Sequence, residues 1–255
     1  MSRLQDKISI VTGGGEGIGA GIATTFAENG ATVVVADINP ETGQKTVDSI
    51  NSNGGSAKFI QTDTADHQSV KDMVSSALDD YSRIDILVNN AARFVFGSVE
   101  EITIEDWNNV FAVNVIGYSN CIQEALPSMK ENGGGSIVNI ASVSAFIAQP
   151  SFVPYNSSKG AVLQLTRCCA MDLAPYGVRV NAVCPGAVKT QATDRHIEHL
   201  GLDKEESYIE FGNGALLKRM GKPKEIANGA IFLASDEASY ITGEYLVIDG
   251  GLSIG

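Results

Sequence analysis

Positive charge is scarce in this chain. Lys and Arg total 18 against 30 Asp and Glu, a formal net charge of −12. Nucleic acids and anionic membrane surfaces are bound through basic patches, so both partner classes are excluded. Cysteine is scarce too. Cys121, Cys168, Cys169 and Cys184 have neither disulfide-scaffold nor metal-type spacing, and unpaired thiols suit a reducing cytosol. His196 and His199 have no second cluster of ligating residues, so no metal site is expected. Met1 to Asp6 is polar with no apolar leader core, and no later run is long enough to span a bilayer. The expectation is a cytoplasmic protein without a membrane partner. No linker or break in composition divides the chain, so one domain is expected over residues 1–255.

What is present suits a sizeable core: 44% hydrophobic residues and 19% charged. Ile8 to Val11 is a β-branched run, as in a buried strand. Gly13, Gly14, Gly15, Glu16, Gly17, Ile18 and Gly19 follow, and Ala20 to Glu28 then reads as a helix closed by Asn29 and Gly30. Strand, glycine turn and helix together form a phosphate cradle. The glycines let a pyrophosphate approach the backbone, and the helix start offers unpaired N–H groups. The spacing from Gly13 is G-x-x-x-G-x-G rather than the usual dinucleotide fingerprint, and a glycine-rich turn without a ligand is the plainer alternative.

Thr32 to Ala36 is the next strand, closed by Asp37. A carboxylate about twenty residues beyond the turn accepts hydrogen bonds from ribose hydroxyls and repels a 2′-phosphate. Glu16 stands in the turn where a phosphate-binding cation could sit, so both acids favour NAD over NADP. Asp37 equally suits the N-terminus of the helix that begins at Pro40.

The alternation continues. Strands are expected at Ala57 to Gln61, Ile84 to Val88, Ser136 to Ile140, Val178 to Val183 and Glu244 to Ile248. Helices are expected at His67 to Tyr81, Thr103 to about Met129, Tyr155 to about Leu173 and Pro223 to Ser235. Strands alternating with helices imply a parallel sheet covered on both faces, a doubly wound α/β fold of the Rossmann type. Polar residues fall at the strand ends: Asp63 after the third, Asn89 and Asn90 after the fourth, Ser142 after the fifth. Open α/β sheets place ligands there, although the two asparagines also suit a plain turn. Asn114 lies among Val110, Phe111, Val113 and Val115, where its amide must find partners. Residues 187–215 are polar, charged and irregular, and an insertion after a strand end commonly covers a site.

Tyr155 and Lys159 lie four apart, one turn apart on one helix face. An ammonium beside a phenol lowers its pKa toward a usable acid/base, though the spacing alone also describes an ordinary surface pair.

In order, Thr12-Gly13-x-x-x-Gly17-Ile18-Gly19, Asp37, Asp63, Asn89-Asn90-Ala91, Asn114, Ser142, Tyr155-x-x-x-Lys159 and Pro185-Gly186-x-x-x-Thr190 resemble the short-chain dehydrogenase/reductase family over essentially the whole chain. Each motif is weak alone and the ordered set is specific. Ala92 departs from the pattern, standing where the family usually has glycine.

The resemblance implies roles. Tyr155 would be the acid/base and Lys159 would lower its pKa and bind the nicotinamide ribose. Ser142 would hold the substrate oxygen, and Asn114 would anchor a water relaying protons past Lys159. The cofactor NAD would lie on Gly13, Gly15, Glu16, Gly17, Ile18 and Gly19. Asp37 with Ile38 would meet the adenosine ribose, Asp63, Thr64 and Asn89 the adenine, and Pro185, Val188 and Thr190 the nicotinamide. The expected reaction converts a secondary alcohol and a ketone or aldehyde; an NAD-binding epimerase or dehydratase is the alternative. Arg93, Phe94, Phe96, Phe146, Phe152 and residues 187–215 are expected substrate walls, with Phe146 and Phe152 equally readable as core. The aromatics suggest a partly apolar substrate, whereas Arg93, Arg195 and the histidines suit an acid or polar group. The family commonly forms homotetramers, here through residues 103–129, 155–173 and the last strand.

Overall fold

Alternate residues of each central strand point to opposite faces of a sheet, and in this chain both sets are apolar. The computed structural model describes residues 2–255, the side chain of His199 excepted. Val11, Val33, Val35, Val88 and Val138 point to one face, where they meet Ile22, Phe26, Ala227 and Ile231. Ile10, Val34, Leu87, Ile137 and Val180 point to the other, against Met73, Met129 and Leu173. A strand apolar on both sides is stable only between two helical layers, which is what forms here.

The sheet has seven parallel strands: β1 (Ile8–Thr12), β2 (Thr32–Asp37), β3 (Ser56–Gln61), β4 (Ile86–Asn89), β5 (Gly135–Ile140), β6 (Val178–Pro185) and β7 (Tyr245–Ile248). Their order is β3-β2-β1-β4-β5-β6-β7. The chain therefore winds outward from β1 in one direction, returns, and winds from β4 in the other. The C-terminal ends of β1 and β4 flank that reversal, where doubly wound sheets open a crevice.

Helices α1 (Gly17–Glu28), α2 (Pro40–Ser52) and α3 (His67–Tyr81) connect the first four strands. Asn39 caps α2 by accepting the N–H groups of Glu41 and Thr42, and Asp66 caps α3 through Gln68 N–H. Helices α4 (Ile104–Phe111) and α5 (Gly117–Glu131) lead to β5, and α6 (Val153–Leu173) leads to β6. After β6 come α7 (Gln191–His199), α8 (Lys204–Asn213) and α9 (Pro223–Ala234).

The structure differs from the sequence reading in four places. The helix expected without interruption from Thr103 to Met129 contains a π-helical segment, Ala112–Ile116, with Asn114 at its centre. A π segment holds one extra residue in the ladder and is common at functional sites. Residues 187–215, read as irregular, contain α7 and α8, whose caps are Thr190 and Asp203. Their apolar residues are too few to give a helical stripe in sequence. The fourth strand starts at Ile86 rather than Ile84, and α6 starts at Val153 rather than Tyr155. Among the described residues, no helix is long and apolar enough to cross a membrane.

Candidate active site

The turn after β1 is folded tightly on itself. A Cβ on Gly19 would stand 1.9 Å from the Gly13 carbonyl oxygen, and one on Gly13 would stand 2.8 Å from Ala91 Cα. Gly13 and Gly17 have φ of 61° and 58°, a region that favours glycine. Unlike α2, α3 and α4, helix α1 has no side-chain cap at its N-terminus, which Glu16 occupies. A close backbone approach and an uncapped helix start fit the pyrophosphate of a dinucleotide. Ile18 packs on the core from the first turn of α1.

Asp37 ends β2 and reaches this turn. Its carboxylate accepts the N–H of Gly15 and of Asn39, at 2.8 and 2.9 Å. The alternative role at the start of α2 belongs to Asn39 instead. Ile38, beside it, is exposed. Glu16 forms an ion pair with Arg195 of α7. A guanidinium thus offsets the charge that the sequence reading counted against a 2′-phosphate, and Asp37 alone carries that argument. Asp63 accepts Ala65 N–H at the end of β3, and Thr64 is buried there.

The two asparagines after β4 divide their work. Asn89 is fully buried, and its amide donates to Asn139 Oδ1 at 2.9 Å across the sheet. Asn89 Oδ1 is buried and finds no partner among the described residues. Asn90 donates to the carbonyls of both Thr12 and Gly13 at 3.0 Å and so ties the glycine turn to β4. The sequence reading placed Asn90 in a turn beside a ligand but not in this bond, because a turn asparagine carries no signal of which distant carbonyl it reaches. Pro185, Val188 and Thr190 lie on the chain leaving β6, and Thr190 faces Gly17, whose added Cβ would meet it at 3.3 Å.

Tyr155 and Lys159 are both buried on α6. Lys159 Nζ donates to Ile140 O at 2.8 Å and lies 5.6 Å from the Tyr155 ring centre. Burial pulls the Lys159 ammonium down to about 7. The same burial pushes the Tyr155 phenol above its ordinary value, and the opposing influence is a hydrogen bond with Ser142. The sequence reading expected Lys159 to lower Tyr155. In the structure loss of water dominates both groups, disfavouring both charged forms, and Lys159 is not among the influences on Tyr155. Ser142 itself accepts Ser144 N–H at 3.1 Å.

Asn114 joins this group through its π segment. Its Nδ2 donates to Ser158 Oγ at 3.0 Å and to Arg93 O at 3.1 Å, and its Oδ1 accepts Arg93 N–H at 2.7 Å. Ser158 in turn donates to Tyr155 O at 2.7 Å. The amide thus spends both hydrogens on the protein and keeps one acceptor lone pair, so it orders the site more than it presents a donor. Ser158 is a positioning residue that sequence reasoning missed. Its one signal is adjacency to Lys159.

Aromatic rings cover the mouth. Phe94 stacks on Tyr155 with centres 4.5 Å apart, Phe152 meets Tyr155 edge-on at 6.2 Å, and Phe96 lies 4.2 Å from the His196 ring. Phe146, expected among these walls, instead faces Tyr245 at 5.8 Å. A cavity of about 480 Å³ beside them is lined by Ala92, Arg93, Phe94, Phe96, Ala192, Arg195 and His196. The rings of Phe96, Phe152 and Phe211 stand around His196. No cluster of three or more metal-ligating residues occurs among the described residues.

Known proteins resemble this chain over its full extent. A family model described as enoyl-(acyl carrier protein) reductase matches residues 13–253. An uncharacterized oxidoreductase of Thermotoga maritima is 41% identical over 248 residues, covering 97% of this chain and 98% of the relative. A cyclopentanol dehydrogenase of a Comamonas species is 36% identical, covering 98% of each chain. The ligand-free structure of Thermoplasma acidophilum aldohexose dehydrogenase superposes with a TM-score of 0.90 at 36% identity, covering 100% of this chain and 96% of that one.

Proposed function

Because this chain belongs to the short-chain dehydrogenase/reductase family of oxidoreductases, we propose that it interconverts a secondary alcohol and its carbonyl compound with NAD(H). The observation that carries the reading is the buried convergence of Tyr155, Lys159 and Ser142 behind Phe94, a wall of the cavity, with Asn114 ordering the loop at its edge. The nicotinamide ring, when bound, accepts or supplies the hydride. The protein's residues place the substrate and move its proton.

In the oxidation direction the substrate hydroxyl lies between Ser142 and Tyr155. Ser142 orients the oxygen, and Tyr155 takes its proton as the carbonyl forms. Tyr155 begins as a neutral phenol in its buried setting, so it must first be deprotonated. Lys159, held near neutrality, is the nearby group able to exchange that proton. Reduction runs the same path backwards.

NAD is favoured over NADP by Asp37 at the end of β2. The whole chain acts as one dinucleotide-binding domain, with residues 187–215 covering the site through α7, whose Thr190 and Arg195 reach the glycine turn. Relatives acting on a cyclic alcohol and an aldohexose support a small alcohol or carbonyl substrate. The test is oxidation of a panel of secondary alcohols by wild type and Tyr155→Phe, read by NADH absorbance. Removing a general acid/base should lower kcat by about a hundredfold or more while NADH still binds. Undiminished turnover by the variant would reject the assignment.

A further inference from the structure

The cavity beside Tyr155 combines aromatic walls with two guanidinium groups in different states. Arg195 is paired with Glu16. Arg93 lines the same cavity and makes no ion pair among the described residues. One carboxylate that senses its charge is Asp106, which is occupied in capping α4 through Thr103.

Arg93 is not on a loose loop. Asn114 holds its backbone N–H and its carbonyl, and the same amide reaches Tyr155 through Ser158. The next residue, Phe94, stacks on the Tyr155 ring. The Arg93 backbone is therefore fixed one residue from the ring that stacks on Tyr155, and its exposed side chain lines the cavity. A planar guanidinium recognises a carboxylate through two parallel hydrogen bonds. In a protein of net charge −12, a cation beside this cavity offsets the repulsion an anionic ligand would meet.

We infer that the substrate is an alcohol with an apolar ring-bearing body and a carboxylate, the body against Phe94, Phe96 and His196 and the carboxylate on Arg93. This inference rests on the dehydrogenase reading for the alcohol, but not for the acid. Arg93 is then a specificity-determining residue that leaves the chemistry at Tyr155 unchanged.

Two measurements on this chain test it. The first compares kcat/KM for a hydroxycyclohexanecarboxylate and the matching carboxamide in wild type, Arg93→Gln and Arg93→Lys. Wild type should prefer the acid by roughly tenfold or more, as for one charge-assisted contact. The preference should vanish through KM in Arg93→Gln and return in part in Arg93→Lys. The second measures cyclohexanecarboxylate and cyclohexanecarboxamide binding by calorimetry, which needs no turnover. The same ratio should appear and be lost in Arg93→Gln. No preference for the acid in wild type, or one that persists in Arg93→Gln, overturns the inference. If acid binding depends on Arg93 while no alcohol is oxidised, the dehydrogenase reading fails and the anion site stands.

Discussion

Asn114 grips Arg93 from both sides, accepting its N–H at 2.7 Å and donating to its carbonyl at 3.1 Å. One amide thereby fixes a loop residue to a helix 21 positions later in the chain. The π segment lets the helix turn that amide toward the loop without leaving the ladder.

Replacing Asn114 with Ala should leave the Arg93 N–H and carbonyl and the Ser158 hydroxyl short of partners. A loss of roughly 2–3 kcal/mol in unfolding free energy is expected. Turnover should fall further than stability explains, since Arg93 and Phe94 lose their placement at the mouth. Denaturant titration and steady-state kinetics check it; stability and kcat both at wild-type level would contradict it.

Asp37→Ala should shift cofactor preference. Its carboxylate occupies the end of β2, where a 2′-phosphate would be repelled. Relieving even about 1.4 kcal/mol of repulsion raises relative NADP use tenfold. The variant also loses the bond to Gly15 N–H, so its affinity for NAD should drop. The ratio of kcat/KM with the two cofactors decides the matter, and an unchanged ratio would show that Asp37 does not select.

Lys159 makes stability depend on pH in a stated direction. Burial brings its folded value down to about 7 from an ordinary value of 10.5. Between these limits the unfolded chain holds more protons than the folded one, so stability gains from this group as pH rises. Below about pH 7 the folded state must carry a buried ammonium. Lys159→Met should therefore be relatively more stable at pH 6.5 than at pH 9, each compared with wild type. Parallel stability profiles for the two proteins would refute the assignment.

Strand β7 pairs with β6 alone and leaves Tyr245 and Leu246 more than a third exposed. Open edge strands and exposed apolar side chains favour association. Light scattering should give a homotetramer, and Leu246→Asp should yield smaller species. A monomeric wild type would reject the proposal.

Much of the site was legible because its signals are local. Strand periodicity, the glycine turn after β1 and the four-residue step from Tyr155 to Lys159 depend only on near neighbours. They were enough to find the strands of a parallel sheet along the chain and to identify which strand ends bear polar groups, but not the order β3-β2-β1-β4-β5-β6-β7 in which the strands lie. What the tertiary structure decided depends on residues far apart in sequence. Glu16 meets Arg195 across 179 positions, and Asn114 meets Ser158 across 44. No periodicity encodes either contact. The same limit explains Tyr155. Its neighbour on the helix was readable from spacing alone. The degree to which the fold strips water from both was not, and that burial sets the direction in which each group titrates.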